Sequence, residues 1–346
     1  MLVNVAKAIA RQWVMTEGSQ LPGFCGAFYH GSTNWLAADA PLPPTSDLDI
    51  MVVLTDPDLP PKLGKFIYQD VMLEVSYLAG DQLQSPEAVL RQSHLAGSFQ
   101  ADGIIADPTG QLRQLQAVVA REYAKRQWVY ARCAHARDKI LHNLRGLNPA
   151  DPFHDQVAAW LFAAGVTTHV LLVAGLRNPT VRQRYVAVRE LLAEYDHLAF
   201  YAPLLDLLGC GQMSRAAVET HLAALTAAFD AAKTVIKTPF FFAADIRDIA
   251  RPVSIDGSHD LIARGYHREA VFWMVATYSR CQKVFYQDAP PAMQETFTTG
   301  YRRLLADLGI TSCADLQQRG EQIKDFLPQV WTVAEAILNA NPAIEP

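Results

Sequence analysis

With 346 residues, 50% of them hydrophobic and 19% charged, the chain is long enough for two domains with separate cores and too apolar for wholesale disorder. Its formal charge of −5 is uneven: residues 1–125 hold 8 Lys/Arg against 13 Asp/Glu, whereas the remaining 221 residues carry 22 of each. The acidic first part lacks the basic footprint of an extended nucleic-acid binder, and the scattered cysteines (Cys25, Cys133, Cys210, Cys281, Cys313) form no C-x-x-C pair, which argues against a disulfide framework or zinc site and fits a reducing cytoplasm.

Residues 2–16 place Val5, Ile9, Trp13 and Val14 at helical spacing, without signal-peptide architecture. Pro22-Gly23 breaks this helix, and an apolar strand follows at 24–30, ending in a tight turn at Gly31-Ser32. Residues 35–45 are Pro-rich and read as a loop, because proline cannot serve in a central strand. A second strand covers 48–54 and is closed by Asp56-Pro57 and Pro60-Pro61. Residues 65–78 read as a third strand entered through a hairpin near Gln69-Asp70, and 102–106 as a short fourth strand before the turn at Asp107–Gly110. A long helical pattern then runs to Arg145, and near 120–126 the chain passes into an all-helical region. Further helices are expected at 153–176, 180–195, 214–236, 258–286, 291–308 and 312–339. The expected fold class is α+β, a small mixed sheet followed by an all-α helical bundle, divided at 125/126.

The chemistry-bearing residues concentrate in 28–54. Asp47 and Asp49 open the second strand, and residues two apart in a strand project to the same face, about 6.5–7 Å apart. Two carboxylates so placed suit divalent ions about 3.5–4 Å apart, the arrangement used for in-line displacement at phosphorus. Glu74 lies between Leu73 and Val75, where a carboxylate is costly to bury unless paired or metal-bound; the alternative is an edge strand with Glu74 facing water. Asp70 is a lesser candidate because it falls at the expected turn.

Gly31-Ser32, a spacer, and Asp47-Leu48-Asp49 together resemble the DNA polymerase beta-like nucleotidyltransferase superfamily, and more particularly its aminoglycoside or kanamycin nucleotidyltransferase-like members with a C-terminal helical domain. The resemblance covers about the first 125 residues. The spacer Thr33–Ser46, with Trp35, Pro41, Pro43 and Pro44, is longer than is usual in that family. The resemblance implies a nucleotidyltransferase domain at 1–125 and a helical substrate-binding or accessory domain at 126–346. It implies transfer of a nucleotidyl group, AMP from ATP being the favoured case, to a hydroxyl of a small molecule in preference to a protein. Asp47, Asp49 and Glu74 would be catalytic and hold two Mg²⁺ ions, and Gly31 and Ser32 would cradle the β/γ-phosphates. The alternative is a non-catalytic nucleotide-binding or antitoxin-like regulator of the same fold; unneutralised carboxylates repel one another and argue against it.

Other constellations carry less. Val157–Leu176 is uncharged and long enough to span a bilayer, but reads as a central bundle helix, so no membrane partner is expected. Residues 126–189 hold nine Lys/Arg against three Asp; Arg182 and Arg184 could meet an anionic substrate, the alternative being a solvated helix face. Arg137 and His142 match the loose Arg-to-His spacing of HEPN-type ribonucleases, a pattern short enough to arise by chance. Phe240–Phe242 and the aromatic residues Phe272, Trp273, Tyr278, Phe285 and Tyr286 read as core, and Gly257-Ser258 as a helix start.

Overall fold

Helix α1 (Val3–Thr16) buries Val3, Ala6, Ala10, Trp13 and Val14, with Ile9 partly buried against the same cluster; Val5, expected on the apolar face from its spacing, is 46% exposed. Its N-cap, Leu2, offers no side-chain acceptor, so the first amides need partners elsewhere. The Pro-rich spacer supplies them: Val3 N donates to Ala40 O and Asn4 N to Ala38 O, each at 2.9 Å. Leu42 N returns a bond to Met1 O at 2.9 Å. The long connection is thereby tied down as the cap of α1.

In the computed structural model, which describes all 346 residues, the chain divides into two units. The first comprises Met1–His135, Leu176–Asn178 and Pro342–Pro346; the second comprises Ala136–Gly175 and Pro179–Asn341. The first unit contains β1 (Phe24–His30), β2 (Leu48–Leu54), β3 (Gly64–Tyr68), β4 (Val71–Ala79), α2 (Pro86–Arg91), β5 (Ile104–Ala106), α3 (Gln111–Glu122) and the start of α4 (Arg126–Arg145). The strands form one mixed sheet in the order β3-β4-β2-β1-β5. Only the β2–β4 pair is parallel; β1 is antiparallel to β2 and β5, and β3 to β4.

Alternation along the strands sorts the side chains. Ala27, Tyr29, Leu48, Ile50, Val52, Leu54, Leu73 and Val75 pack with α1, while Phe28, Val53 and Leu78 pack with Val89 and Leu90 of α2 and Leu112, Leu115 and Val119 of α3. Each buried aliphatic side chain contributes about 1.5–3 kcal/mol. A one-residue slip of β2 would turn four of them away from α1 and drive Asp49 into their place, so the register is strongly fixed.

Two element boundaries expected from the sequence are corrected. The hairpin expected near Gln69-Asp70 is present, and it divides 65–78 into two strands where one was expected, with Gln69 and Asp70 both in left-handed backbone (φ 47° and 63°). The helical pattern running to Arg145 is interrupted at 123–125, between α3 and α4. The division between the units falls inside α4, at His135/Ala136, whereas the composition change at 125/126 coincides with the start of that helix.

The second unit is helical, with α5 (Phe153–Ala174), α6 (Arg184–Glu194), α7 (Tyr201–Leu208), α8 (Arg215–Val235), α9 (Gly257–Ala263), α10 (His267–Asp288), α11 (Pro291–Asp307) and α12 (Cys313–Ala340). The helix expected at 258–286 is two helices, separated at Gly265, whose φ of 89° only glycine adopts readily. Helix α5 is the one helix long and apolar enough to cross a membrane, and 78% of its apolar window is buried inside the protein. It is central, as its all-round apolar surface requires.

Candidate metal and phosphate site

The ladder places the site. Asp49 on β2 is paired with His30 on β1 and Glu74 on β4, and Glu74 is paired with Lys65 on β3. Directly paired residues share a face, so these four side chains form one row across four strands, on the side away from α1. Asp47 joins the row from just before β2. Ligand atoms of Asp47, Asp49 and Glu74 all lie within 4.8 Å of one another. Strand β4 is interior to the sheet, so Glu74 does not occupy a water-facing edge.

Two lysines meet these carboxylates. Lys65 Nζ lies 2.9 Å from Asp47 Oδ2 and 2.8 Å from Glu74 Oε2, with its side chain 4% exposed. Lys62, from the segment before β3, pairs with the other Glu74 oxygen, Oε1. The lysines offset part of the repulsion among the carboxylates, although Asp49 still lies beside Asp47 and Glu74, and the argument from repulsion against a non-catalytic protein is weakened.

The electrostatics differ between the acids. Burial raises the Asp49 pKa well above the ordinary carboxylate value, and neighbouring Asp47 and Glu74 add to the effect. Burial raises that of Asp47 as well, with Lys65 opposing. For Glu74 burial also acts upwards, but Lys65 and Lys62 prevail and hold the carboxyl below its usual range. Burial lowers His30 to about 4, so its ring is neutral, with Nδ1 2.7 Å from Ser98 Oγ.

Gly31 has φ 68°, and a Cβ there would overlap the Asp49 carboxylate, 2.8 Å from its Cγ and closer still to Oδ2. Both the backbone conformation and the close approach require glycine. Gly31 opens the 3₁₀ turn Gly31–Trp35, with Ser32 next in it and partly exposed. Amides at the start of such a turn have no intrahelical acceptor. The turn is clasped from behind by Asn34 Nδ2 donating to Tyr29 O at 2.6 Å.

The structure thus brings Gly31, Asp47, Asp49 and Glu74 together, with Ser32 adjacent, whereas Asp70 lies exposed in the β3–β4 turn. Sequence reasoning passed over His30, Lys62 and Lys65. A signal for Lys65 was present: a two-residue hairpin at Gln69-Asp70 counts back to a Lys65–Glu74 pair. The all-oxygen donor set suits a hard divalent cation such as Mg²⁺ or Mn²⁺, and the residues fit that group.

The remaining candidates fall elsewhere. Arg184 is 1% exposed, donates from Nε to Val181 O at 2.7 Å and stacks 3.8 Å from the Phe272 ring centre. Arg182 donates to Val253 O, so neither arginine belongs to a solvated helix face. Arg137 stacks on Trp331 at 4.7 Å, and His142 is exposed on α4. Phe272, Trp273, Tyr278 and Phe285 are core, but Phe241 and Tyr286 are 65% and 62% exposed and are not. Gly257-Ser258 does begin a helix, α9.

No family model matches the sequence, and no curated protein matches it.

Proposed function

We propose that the chain is a nucleotidyltransferase that moves a nucleotidyl group, AMP from ATP in the favoured case, to a hydroxyl of a small-molecule acceptor. The observation that carries this reading is the Asp47–Asp49–Glu74 cluster on adjacent strands with the Gly31 backbone against it. The resemblance to the polymerase beta-like superfamily supports it.

In this reading Asp47, Asp49 and Glu74 hold the divalent ions, whose contribution is to neutralise charge on the phosphoryl group undergoing transfer. Gly31 and Ser32 face the β/γ-phosphates with backbone amides and the serine hydroxyl. The acceptor oxygen forms a bond to the α-phosphorus as the bond to the bridging oxygen breaks, and pyrophosphate leaves. Glu74, paired with both lysines, would hold the second ion or take up the proton released by the acceptor hydroxyl. Isothermal titration with Mg-ATP tests the site: binding is expected in the wild type and lost in Asp47→Ala/Asp49→Ala. Absent or unchanged binding would sink the proposal.

One observation favours a second reading. Lys62 and Lys65 offset two of the cluster's three negative charges, which favours a protein that keeps the fold as a nucleotide-binding or antitoxin-like regulator. Such a protein binds without releasing pyrophosphate, so pyrophosphate release separates the two.

A further inference from the structure

Lys65 occupies the space that a cation between Asp47 and Glu74 would claim. Its ammonium is within 2.9 Å of oxygens on both residues, and its side chain is 4% exposed. Lys62 holds the remaining Glu74 oxygen with its side chain 15% exposed. Three carboxylates and two ammonium groups sum to a formal −1 (−3 + 2). That arrangement stands without a metal, but it opposes one. A divalent ion taking lone pairs from Asp47 and Glu74 would lie beside a buried ammonium of the same sign, and repulsion at that range is strong where water is scarce. A buried ammonium cannot simply give up its partners, because an unpaired buried charge is costly. It needs another anion to receive it.

We propose that Lys65, assisted by Lys62, is an internal counter-charge that passes from Asp47 and Glu74 to the polyphosphate of the donor as the divalent ion enters. Cation and polyphosphate binding are then mutually dependent: neither binds well without the other, as reciprocal linkage requires. Lys65 is a positioning residue in this account, acting through the carboxylates and the phosphates. The inference rests on the metal-site reading above and adds to it the mode of loading.

The test is calorimetric and needs no turnover. Wild-type protein, Lys65→Met and Asp49→Asn are each titrated with MnCl₂ alone and with a preformed Mn²⁺–inorganic triphosphate complex. Lys65→Met is expected to bind Mn²⁺ alone at least about tenfold tighter than wild type, and the complex at least about tenfold more weakly. The opposite signs matter, since mere structural damage would weaken both. Mn²⁺ affinity in Lys65→Met equal to or below that of wild type, with Asp49→Asn abolishing it, overturns the lysine inference and leaves the metal site standing. No Mn²⁺ binding by wild type or Lys65→Met overturns both. If circular dichroism shows Lys65→Met unfolded, Lys62→Met carries the same test: the same pair of opposite changes, about threefold or more, supports the proposal, and unchanged affinities overturn it.

Discussion

The Gly31 backbone lies directly against the Asp49 carboxylate, leaving no room for a Cβ, 2.8 Å from the carboxylate carbon. The turn expected to face phosphate and the strand expected to hold metal are thus in contact, although fourteen spacer residues, Thr33–Ser46, lie between Ser32 and Asp47. The spacer's length is spent on capping α1. Gly31→Ala is expected to destabilise the first unit by about 1–2 kcal/mol through its left-handed backbone and to push the Asp49 carboxylate aside. Affinity for the Mn²⁺–triphosphate complex by calorimetry should fall at least about tenfold while circular dichroism stays native.

Asp49→Asn should separate function from stability. A carboxyl whose folded pKa lies above its ordinary 3.8 weakens the fold as pH rises past 3.8, because the unfolded chain releases its proton first. An amide of the same shape lacks that penalty. At pH 7 without metal, Asp49→Asn is expected to melt at least about 2 °C above wild type by calorimetry. Added Mg²⁺ together with inorganic triphosphate should raise the wild-type midpoint and leave that of the variant unchanged, and transfer activity should fall at least about a hundredfold.

The helical unit should be acid-sensitive through His154. This residue is 7% exposed, and its Nε2 has no hydrogen-bond partner. Burial pushes its pKa from 6.5 down to about 4; Asp155 opposes, and Lys283 adds to the effect. The unfolded chain takes up this proton near 6.5 and the folded one only near 4, so stability is lost as pH falls across that window, by up to about 1.4 kcal/mol per pH unit. Urea unfolding at several pH values should show this slope, and His154→Gln should flatten it.

Two buried arginines of the helical unit should respond oppositely. Arg184 stacks on Phe272 and leaves Nη1 without a hydrogen bond, so Arg184→Met is expected to change stability by less than about 1 kcal/mol or to raise it. Arg280 lies 3.1 Å from Asp245, both groups nearly buried, and Arg280→Met removes that counter-ion at a cost of about 3–5 kcal/mol. Denaturant midpoints of the two variants check the contrast.

The carboxylates were legible because period-two alternation sets Asp47 and Asp49 on one face and exposes Glu74 as an acid in an apolar strand. The strands at 24–30 and 48–54 were legible for the same reason: apolar runs with sharp Pro and Gly boundaries. The hairpin at Gln69-Asp70 was legible, but its two-residue length, which sets the β3–β4 register and the Lys65–Glu74 pair, was not, since neither residue is the glycine that usually marks so tight a turn. The interruption at 123–125 carries neither Gly nor Pro, so the helical pattern runs through it unmarked. Helix α7 is short, with Pro203 inside it, which hides it from periodicity. The burial of Arg184 is set by tertiary packing on Phe272, which no local pattern encodes.

The central claim is most directly tested with ATP labelled on the α-phosphate, incubated with Mg²⁺, the protein and small-metabolite or protein pools. The account predicts pyrophosphate release and transfer of label to an acceptor, both requiring Asp47 and Asp49. Label that stays on the nucleotide, or moves equally well with Asp47→Ala/Asp49→Ala, would contradict it.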